Sequence, residues 1–75
     1  MIITDVFEHK GKTAIYCKTK KIVDKKMSFS KVYIDNETFD IIEYDRLKSI
    51  SGETSFALLI DTNKQFEINK QIEVI

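Results

Sequence analysis

The sequence has little of several residue types on which many functional sites depend. Proline and tryptophan are absent, glycine occurs twice, and there is one cysteine and one histidine among 75 residues. A single cysteine excludes an intramolecular disulfide framework and any zinc site built on several cysteines. Gly11 and Gly52 are too far apart in the chain to form a glycine-rich phosphate loop. No apolar run approaches the roughly 20 residues that a membrane-spanning helix needs.

The composition is that of a small folded protein. Hydrophobic residues make up 43% of the chain and eight residues are aromatic, which argues against intrinsic disorder. A chain of this length accommodates one domain, which we place over residues 1–75. The opening residues MIITDVFEHK carry acids where a signal peptide carries lysines. We therefore expect a soluble cytoplasmic protein without a membrane association.

Residues able to carry out catalysis or bind metal are few and scattered. His9 lies beside the turn glycine Gly11, where an exposed histidine is ordinary, and Cys17 is expected to be a small buried hydrophobic residue. Five acids follow one another closely but alternate with apolar residues, as on the wet face of a strand: Asp35, Glu37, Asp40, Glu43 and Asp45. Their spacing does not match a calcium-binding loop. The sequence therefore predicts a protein that is not an enzyme and has no cofactor or metal.

The apolar positions favour strands over helices, because isoleucine, valine, threonine, phenylalanine and tyrosine dominate them. We predict strands over residues 2–7, 13–17, 28–34, 38–44 and 55–61, followed by a closing hairpin through residues 62–75. Gly11 predicts a tight turn before the second strand, and Asp35, Asn36 and Glu37 predict one before the fourth. The run from Phe56 to Ile60 is apolar on both faces, which predicts the most central strand. Residues 40–50 also fit a short helix, although a strand followed by an irregular connection is favoured.

Together these strands predict an all-β fold, a small closed or partly open antiparallel β-barrel of about six strands. Closure is the simplest way for such a sheet to remove its edges. Strict alternation places Ile3 and Phe7 on one face of the first strand. It also groups Phe29 with Lys31 and Tyr33 on the third strand, and it gives one shared parity to Phe66, Ile68, Ile72 and Val74.

The charges are distributed unevenly although the net charge is zero. Between Lys10 and Lys31 there are eight lysines and one acid, a net +7, whereas residues 32–75 carry a net −5. A basic region of this kind attracts polyanions. We predict that RNA or a ribonucleoprotein contacts the lysines, with three aromatic residues as stacking partners if they face outward. The predicted contact residues are Lys18, Lys20, Lys21, Lys25, Lys26 and Lys31 together with Tyr16, Phe29 and Tyr33.

Two other interpretations of the lysine-rich stretch stay open. A charge run is usually a solvated face, so the lysines of residues 18–31 are also typical of a solvated loop that protects a sheet edge. Alternatively, opposite-sign regions in a neutral chain favour a protein-interaction or self-associating module, in which the basic region of one copy meets the acidic region of another.

The two ends of the sequence resemble the second domain of the EF-Tu-type translational GTPases, the translation-protein β-barrel. The opening ITDVFEHKGKT is similar to that family's first hairpin, and ISGETSFALLI with the closing residues is similar to its later strands. The matching residues are Ile3, Asp5, Val6, Phe7, Gly11 and Thr13, and then Gly52, Glu53, Leu58, Leu59, Ile68 and Val74. The resemblance implies a barrel fold and contacts with tRNA or ribosomal RNA, or a role as an accessory barrel.

The sequence also departs from the family's pattern. Glycines of the family are replaced around Cys17 and Lys18, at residues 26–28, and in the turn at residues 69–71. The 75 residues contain no GTPase domain, so the resemblance implies no GTP hydrolysis. It supports the fold more than an activity, and no single functional residue is carried over from it.

Overall fold

A computed structural model describes residues 1–20, 28–47, 49 and 52–75. These residues form six strands and no helix: β1 (Ile2–His9), β2 (Lys12–Thr19), β3 (Lys31–Ile34), β4 (Glu37–Arg46), β5 (Thr54–Ile60) and β6 (Glu73–Val74). All the strand pairs are antiparallel, and the order across the sheet is β1-β2-β5-β4-β3-β6. The predicted all-β class with about six strands is confirmed.

The sheet curls into a partly open barrel. The segment before β6 returns to the outer edge of β1, where the Ile3 N–H donates to the Lys70 carbonyl at 3.0 Å and the Ile3 carbonyl accepts from the Asn69 N–H at 2.8 Å. The Ile72 N–H donates to the Met1 carbonyl at 2.8 Å. These bonds satisfy part of an edge that would otherwise be free to pair with another chain. They do not form a continuous ladder, so the barrel is partly open.

Two tight hairpin turns fix the register of the strands on either side. Lys10 and Gly11 connect β1 to β2 with φ angles of 52° and 78°, and Asp35 and Asn36 connect β3 to β4 with φ angles of 54° and 63°. Positive φ at both central residues is the mark of a type I′ turn, whose twist matches that of the strands. Glycine, asparagine and aspartate tolerate this conformation best, which is why the sequence predicted both turns correctly.

The core lies on the inner side of β5 and its neighbours. Phe56, Leu58 and Ile60 are at most 2% exposed and face inward from β5, which lies between β2 and β4. They pack in one cluster whose other buried members are Ile3, Ile15, Cys17, Phe29, Val32, Ile34, Phe39, Phe66 and Ile72. The prediction that the Phe56 to Ile60 run forms a central strand is confirmed.

A β-bulge in β1 corrects one predicted face. The pairing with β2 shifts between Ile3 and Asp5, so that Ile3 lies opposite Cys17 and Val6 lies opposite Ile15. Both Ile3 and Val6 therefore pack against the core, whereas Phe7 is 38% exposed. The prediction that Ile3 and Phe7 share a face is wrong, because one extra residue reverses the alternation along a strand.

The C-terminal segment also differs from its predicted form. Instead of a hairpin after β5, residues 61–72 are irregular, and the two-residue β6 pairs with β3. Phe66 and Ile72 are buried but Ile68 is 55% exposed, so the predicted shared parity is wrong because irregular backbone does not alternate. Within residues 40–50, β4 continues as a strand to Arg46, whereas positions 48 and 50 lie outside the described residues.

Candidate functional site

The predicted lysine contacts are only partly covered by the described residues. Lys21, Lys25 and Lys26 lie outside them. Lys18, Lys20 and Lys31 are exposed, as binding to a polyanion requires. Two of these three have an acidic partner, because the Nζ atom of Lys18 lies 3.4 Å from Glu53 Oε2 and that of Lys31 lies 3.0 Å from Asp40 Oδ1. A phosphate would have to compete with these carboxylates.

The strand order separates two of the predicted contact regions. Lys18 is on β2 and Lys31 is on β3, and the sheet places β5 and β4 between them. Three inter-strand spacings correspond to about 14 Å across the sheet. The sequence grouped these lysines because they are close in the chain, but β2 and β3 are not neighbours in the sheet. Lys18 and Lys31 therefore do not form one compact basic cluster.

The three predicted stacking partners have different positions. Tyr16 and Tyr33 are each 40% exposed, so their rings are accessible. Phe29 is 5% exposed, and its ring packs at 5.1 Å against both Phe56 and Tyr44. The condition that Phe29 faces outward is therefore not met, and it is a core residue. It precedes β3 and does not follow that strand's alternation, since two exposed residues lie between Phe29 and the next buried one, Val32.

The outer side of the sheet carries an exposed apolar surface that the sequence analysis did not predict. The rings of Phe7 and Tyr16 meet edge to face with centroids 5.2 Å apart, diagonally across β1 and β2. Ala14 of β2, which is 8% exposed, and the half-buried Ala57 and Leu59 of β5 lie beside these exposed rings on the same outer side. We call these five residues the outer-face patch.

The register shows how the outer-face patch is built from rungs across four strands. In one rung Phe7 lies opposite Ala14, Ala14 opposite Leu59, and Leu59 opposite Glu43. The patch thus has an aromatic side at β1 and β2, a low floor of alanine and leucine, and an acidic side at β4. The parallel rung runs from Asp5 of β1 through Tyr16 and Ala57 to Asp45, so it leads from an aromatic residue on β2 to an acid on β4 and has a second acid on β1.

Because alanines stand between taller side chains, the outer-face patch is concave. It forms a shallow groove of about 200 Å³, whose lining also includes His9, Glu43, Tyr44, Asp45 and Leu58. This volume is below the roughly 300 to 1,000 Å³ typical of small-molecule sites. The groove is therefore better suited to one or two side chains of a larger partner than to a whole cofactor.

The sequence contained a signal for the outer-face patch, although it was assigned to the core. Ala57 and Leu59 alternate with the buried Phe56, Leu58 and Ile60, so an apolar run on both faces of β5 implied an apolar outer side. That pattern predicted the central position of β5 but not an apolar patch on its outer side. The position of Phe7 was hidden by the bulge in β1, since strict alternation assigned it to the face of Ile3.

Nucleophilic and metal-binding chemistry has little support in the described part of the chain. Cys17 is buried, and burial raises the pKa of its thiol to about 11, opposed in part by the nearby positive charge of the N-terminus. A thiol held in its protonated form is a poor nucleophile. The described residues contain no group of three histidine, cysteine or acidic side chains arranged to hold a metal ion.

Comparisons with known proteins do not identify a relative. No protein-family model, no curated protein and no solved structure matches this chain. The resemblance to the translation-protein β-barrel therefore stays a prediction. In the described ranges we find no helix with the length and apolar character needed to cross a membrane.

Proposed function

We propose that this chain is a non-enzymatic binding module that contacts a partner protein through the outer-face patch. The observation that carries the proposal is the pair of aromatic rings, Phe7 and Tyr16, which are 38% and 40% exposed beside an alanine-floored groove. Aromatic side chains anchor protein interfaces because they bury a large area with few rotatable bonds. The core does not need them, since a separate buried cluster fills the inner side of the sheet.

Interaction with RNA or a ribonucleoprotein is the second candidate, and a specific arrangement favours it. On β2 the exposed Tyr16 lies two residues from the exposed Lys18, and on β3 Lys31 lies two residues from the exposed Tyr33. Residues two apart on a strand share a face, so each pair offers a ring for base stacking and a cation for a phosphate. The resemblance to the translation-protein β-barrel agrees with this candidate, as it implies contacts with tRNA or ribosomal RNA.

We rank RNA binding second because carboxylates lie beside the residues that would contact the RNA. Lys18 and Lys31 already face Glu53 and Asp40, and Glu43 and Asp45 border the outer-face patch on which Tyr16 lies. Acids beside a groove repel a phosphate backbone, whose neutralisation supplies most of the non-specific affinity for nucleic acid.

The test of the first candidate is selection of a displayed library of random short peptides on the purified chain. We expect peptides whose affinity falls at least tenfold for the double variant Phe7→Ser and Tyr16→Ser, since removing two aromatic anchors costs more than about 1.4 kcal/mol. Thermal melting verifies that the variant is folded. A selection that does not distinguish the wild type from this folded variant would contradict the proposal.

The test of the second candidate is binding of fluorescent single-stranded RNA and tRNA at about 50 and about 200 mM salt. Binding at the lower concentration that weakens steeply at the higher one, and that is reduced by Lys18→Ala and Lys31→Ala, would support an RNA-binding module. Undetectable binding at the lower concentration removes this candidate.

A further inference from the structure

We propose that the outer-face patch binds an extended segment of a partner protein in which an apolar side chain is flanked by lysine or arginine. This inference rests on the proposed function and adds the chemistry of the partner. The apolar side chain would lie on the floor formed by Ala14, Ala57 and Leu59, and the cation would lie toward β4.

The charge on the groove selects a cation. Among the described residues, its lining includes two carboxylates, Glu43 and Asp45, and neither lysine nor arginine. Both acids are exposed, and neither forms a hydrogen bond or ion pair with another described residue. Asp40 of the same strand differs in this respect, because it pairs with Lys31. The groove therefore presents two uncompensated negative charges, which favour a cationic partner and disfavour an anionic one.

The aromatic side of the groove favours the same partner. Phe7 and Tyr16 stand across the alanine and leucine floor from the two carboxylates, one rung apart. Rings and acids in the same rung are two or three strand spacings apart, about 10 to 14 Å, which exceeds the reach of a cation–π contact. The rings therefore contact the apolar side chain of the partner, while the acids attract the cation. The long aliphatic stem of a lysine or arginine covers the apolar floor between them while its head stays in water.

An extended conformation follows from the shape of the groove. Two parallel rungs each lead from an aromatic residue to an acid, so the site repeats along the strands. Outward residues of a strand that are two apart are separated by about 7 Å. An extended peptide repeats its side chains at the same interval, so alternate side chains of the partner match successive rungs.

The experiment uses the peptide selection on the intact chain, with the residue composition of the selected peptides as a second readout. We expect lysine or arginine to be enriched next to leucine, isoleucine, valine or an aromatic residue. For these peptides the double variant Glu43→Gln and Asp45→Asn should lower affinity about fivefold to tenfold, because two charge pairs at an interface rim are lost. Raising the salt concentration should weaken wild-type binding in the same direction.

A matched control separates local charge from net charge. The double variant Glu67→Gln and Glu73→Gln also removes two negative charges, but from exposed positions outside the groove lining. It should bind the selected peptides within about twofold of the wild type. Equal losses in the two double variants would show a general charge effect and overturn the inference. All four substitutions keep the size of an exposed side chain, so the fold is expected to be retained.

The remaining outcomes distinguish the inference from the proposed function. Peptides that are neutral or acidic, but still need Phe7 and Tyr16, would overturn the cationic partner and leave the protein-binding function standing. A selection without peptides dependent on Phe7 and Tyr16 would overturn both. Sedimentation provides another arm: a wild-type dimer that Phe7→Ser and Tyr16→Ser convert to a monomer would identify a second copy as the occupant, which also overturns the inference.

Discussion

The two faces of β5 contain apolar residues in nearly equal measure but contribute differently to the molecule. Phe56, Leu58 and Ile60 face inward and are at most 2% exposed, whereas Ala57 and Leu59 face outward and are only partly covered. These residues belong to one strand, in which successive side chains point to opposite faces of the sheet. Apolar character alone therefore does not identify the core, because in this sheet it also marks a surface that is available to a partner.

None of the described strands lies over the outer face of the sheet. The described residues form one partly open barrel around one core, and all six strands belong to that barrel. Exposed apolar residues are ordinary when scattered, but a contiguous group with aromatic anchors is typical of an interaction site. Folding requires the inner face, whereas the outer face is the surface that the proposed partner would contact.

The neighbouring leucines of β5 allow the sharpest test of this contrast. Leu58→Ala should lower the free energy of unfolding by about 3 kcal/mol, because Leu58 is 1% exposed and its loss leaves a cavity in the core. Leu59→Ala removes the same atoms from the outer face and should cost about 1 kcal/mol or less. Urea denaturation of the two variants measures both values.

The same pair of variants should show the reverse order in binding. Leu59→Ala is expected to lower the affinity for the selected peptides. Leu58→Ala should lower it less at temperatures where the variant is folded, because the Leu58 side chain is 1% exposed and faces the core, although this residue also lines the groove. Equal losses of stability would mean that the two faces are buried alike, and the distinction between core and binding surface would fail.

Local rules were enough to predict much of the fold. The turns at Gly11 and at Asp35 and Asn36 follow from which residues accept positive φ, and the central position of β5 follows from its double apolar pattern. The bulge in β1 and the pairing of β6 with β3 were missed. Both depend on long-range packing rather than on the residues within the segment, so alternation alone could not reveal them.

The candidate surfaces were harder to predict than the fold. Nearness in the chain grouped Lys18 with Lys31, but strand order separates them, and Phe29 is withdrawn into the core by its contacts with Phe56 and Tyr44. The outer-face patch and the acids beside it combine β1 and β2 with β4 and β5 through their register. Because these two pairs of strands are distant in sequence, the surface becomes visible only once that register is known.

Cys17 gives a pH-dependent measure of burial on the inner face. Its thiol has an ordinary pKa of 9.0, and burial raises the pKa to about 11 in the folded chain. Above pH 9 the unfolded thiol loses its proton while the folded thiol keeps it, so the unfolded state is favoured as the pH rises. This stabilisation is fully present below pH 9 and is lost progressively up to about pH 11, at no more than about 1.4 kcal/mol per pH unit.

The variant Cys17→Ala isolates this contribution from those of lysine and tyrosine residues. It should lower stability by a nearly constant amount below pH 9, and the difference from the wild type should shrink between pH 9 and pH 10.5. Urea denaturation at several pH values supplies both curves. Parallel curves over this range would show that the thiol ionises equally in both states, contrary to burial on the inner face.

The smallest effect is expected for an ion pair on the outside of the barrel. The side chains of Lys31 and Asp40 are 53% and 65% exposed and their charged atoms lie 3.0 Å apart. Water and salt screen such a pair, so a double-mutant cycle with Lys31→Ala and Asp40→Ala should give a coupling energy of about 0.5 kcal/mol or less. A coupling energy above about 2 kcal/mol would mean that this exposed pair stabilises the fold about as much as a buried side chain does. That result would contradict the contrast between the inner and outer faces. The small value has a practical consequence for the RNA candidate, because a loss of RNA affinity in Lys31→Ala can then be assigned to a lost phosphate contact rather than to unfolding.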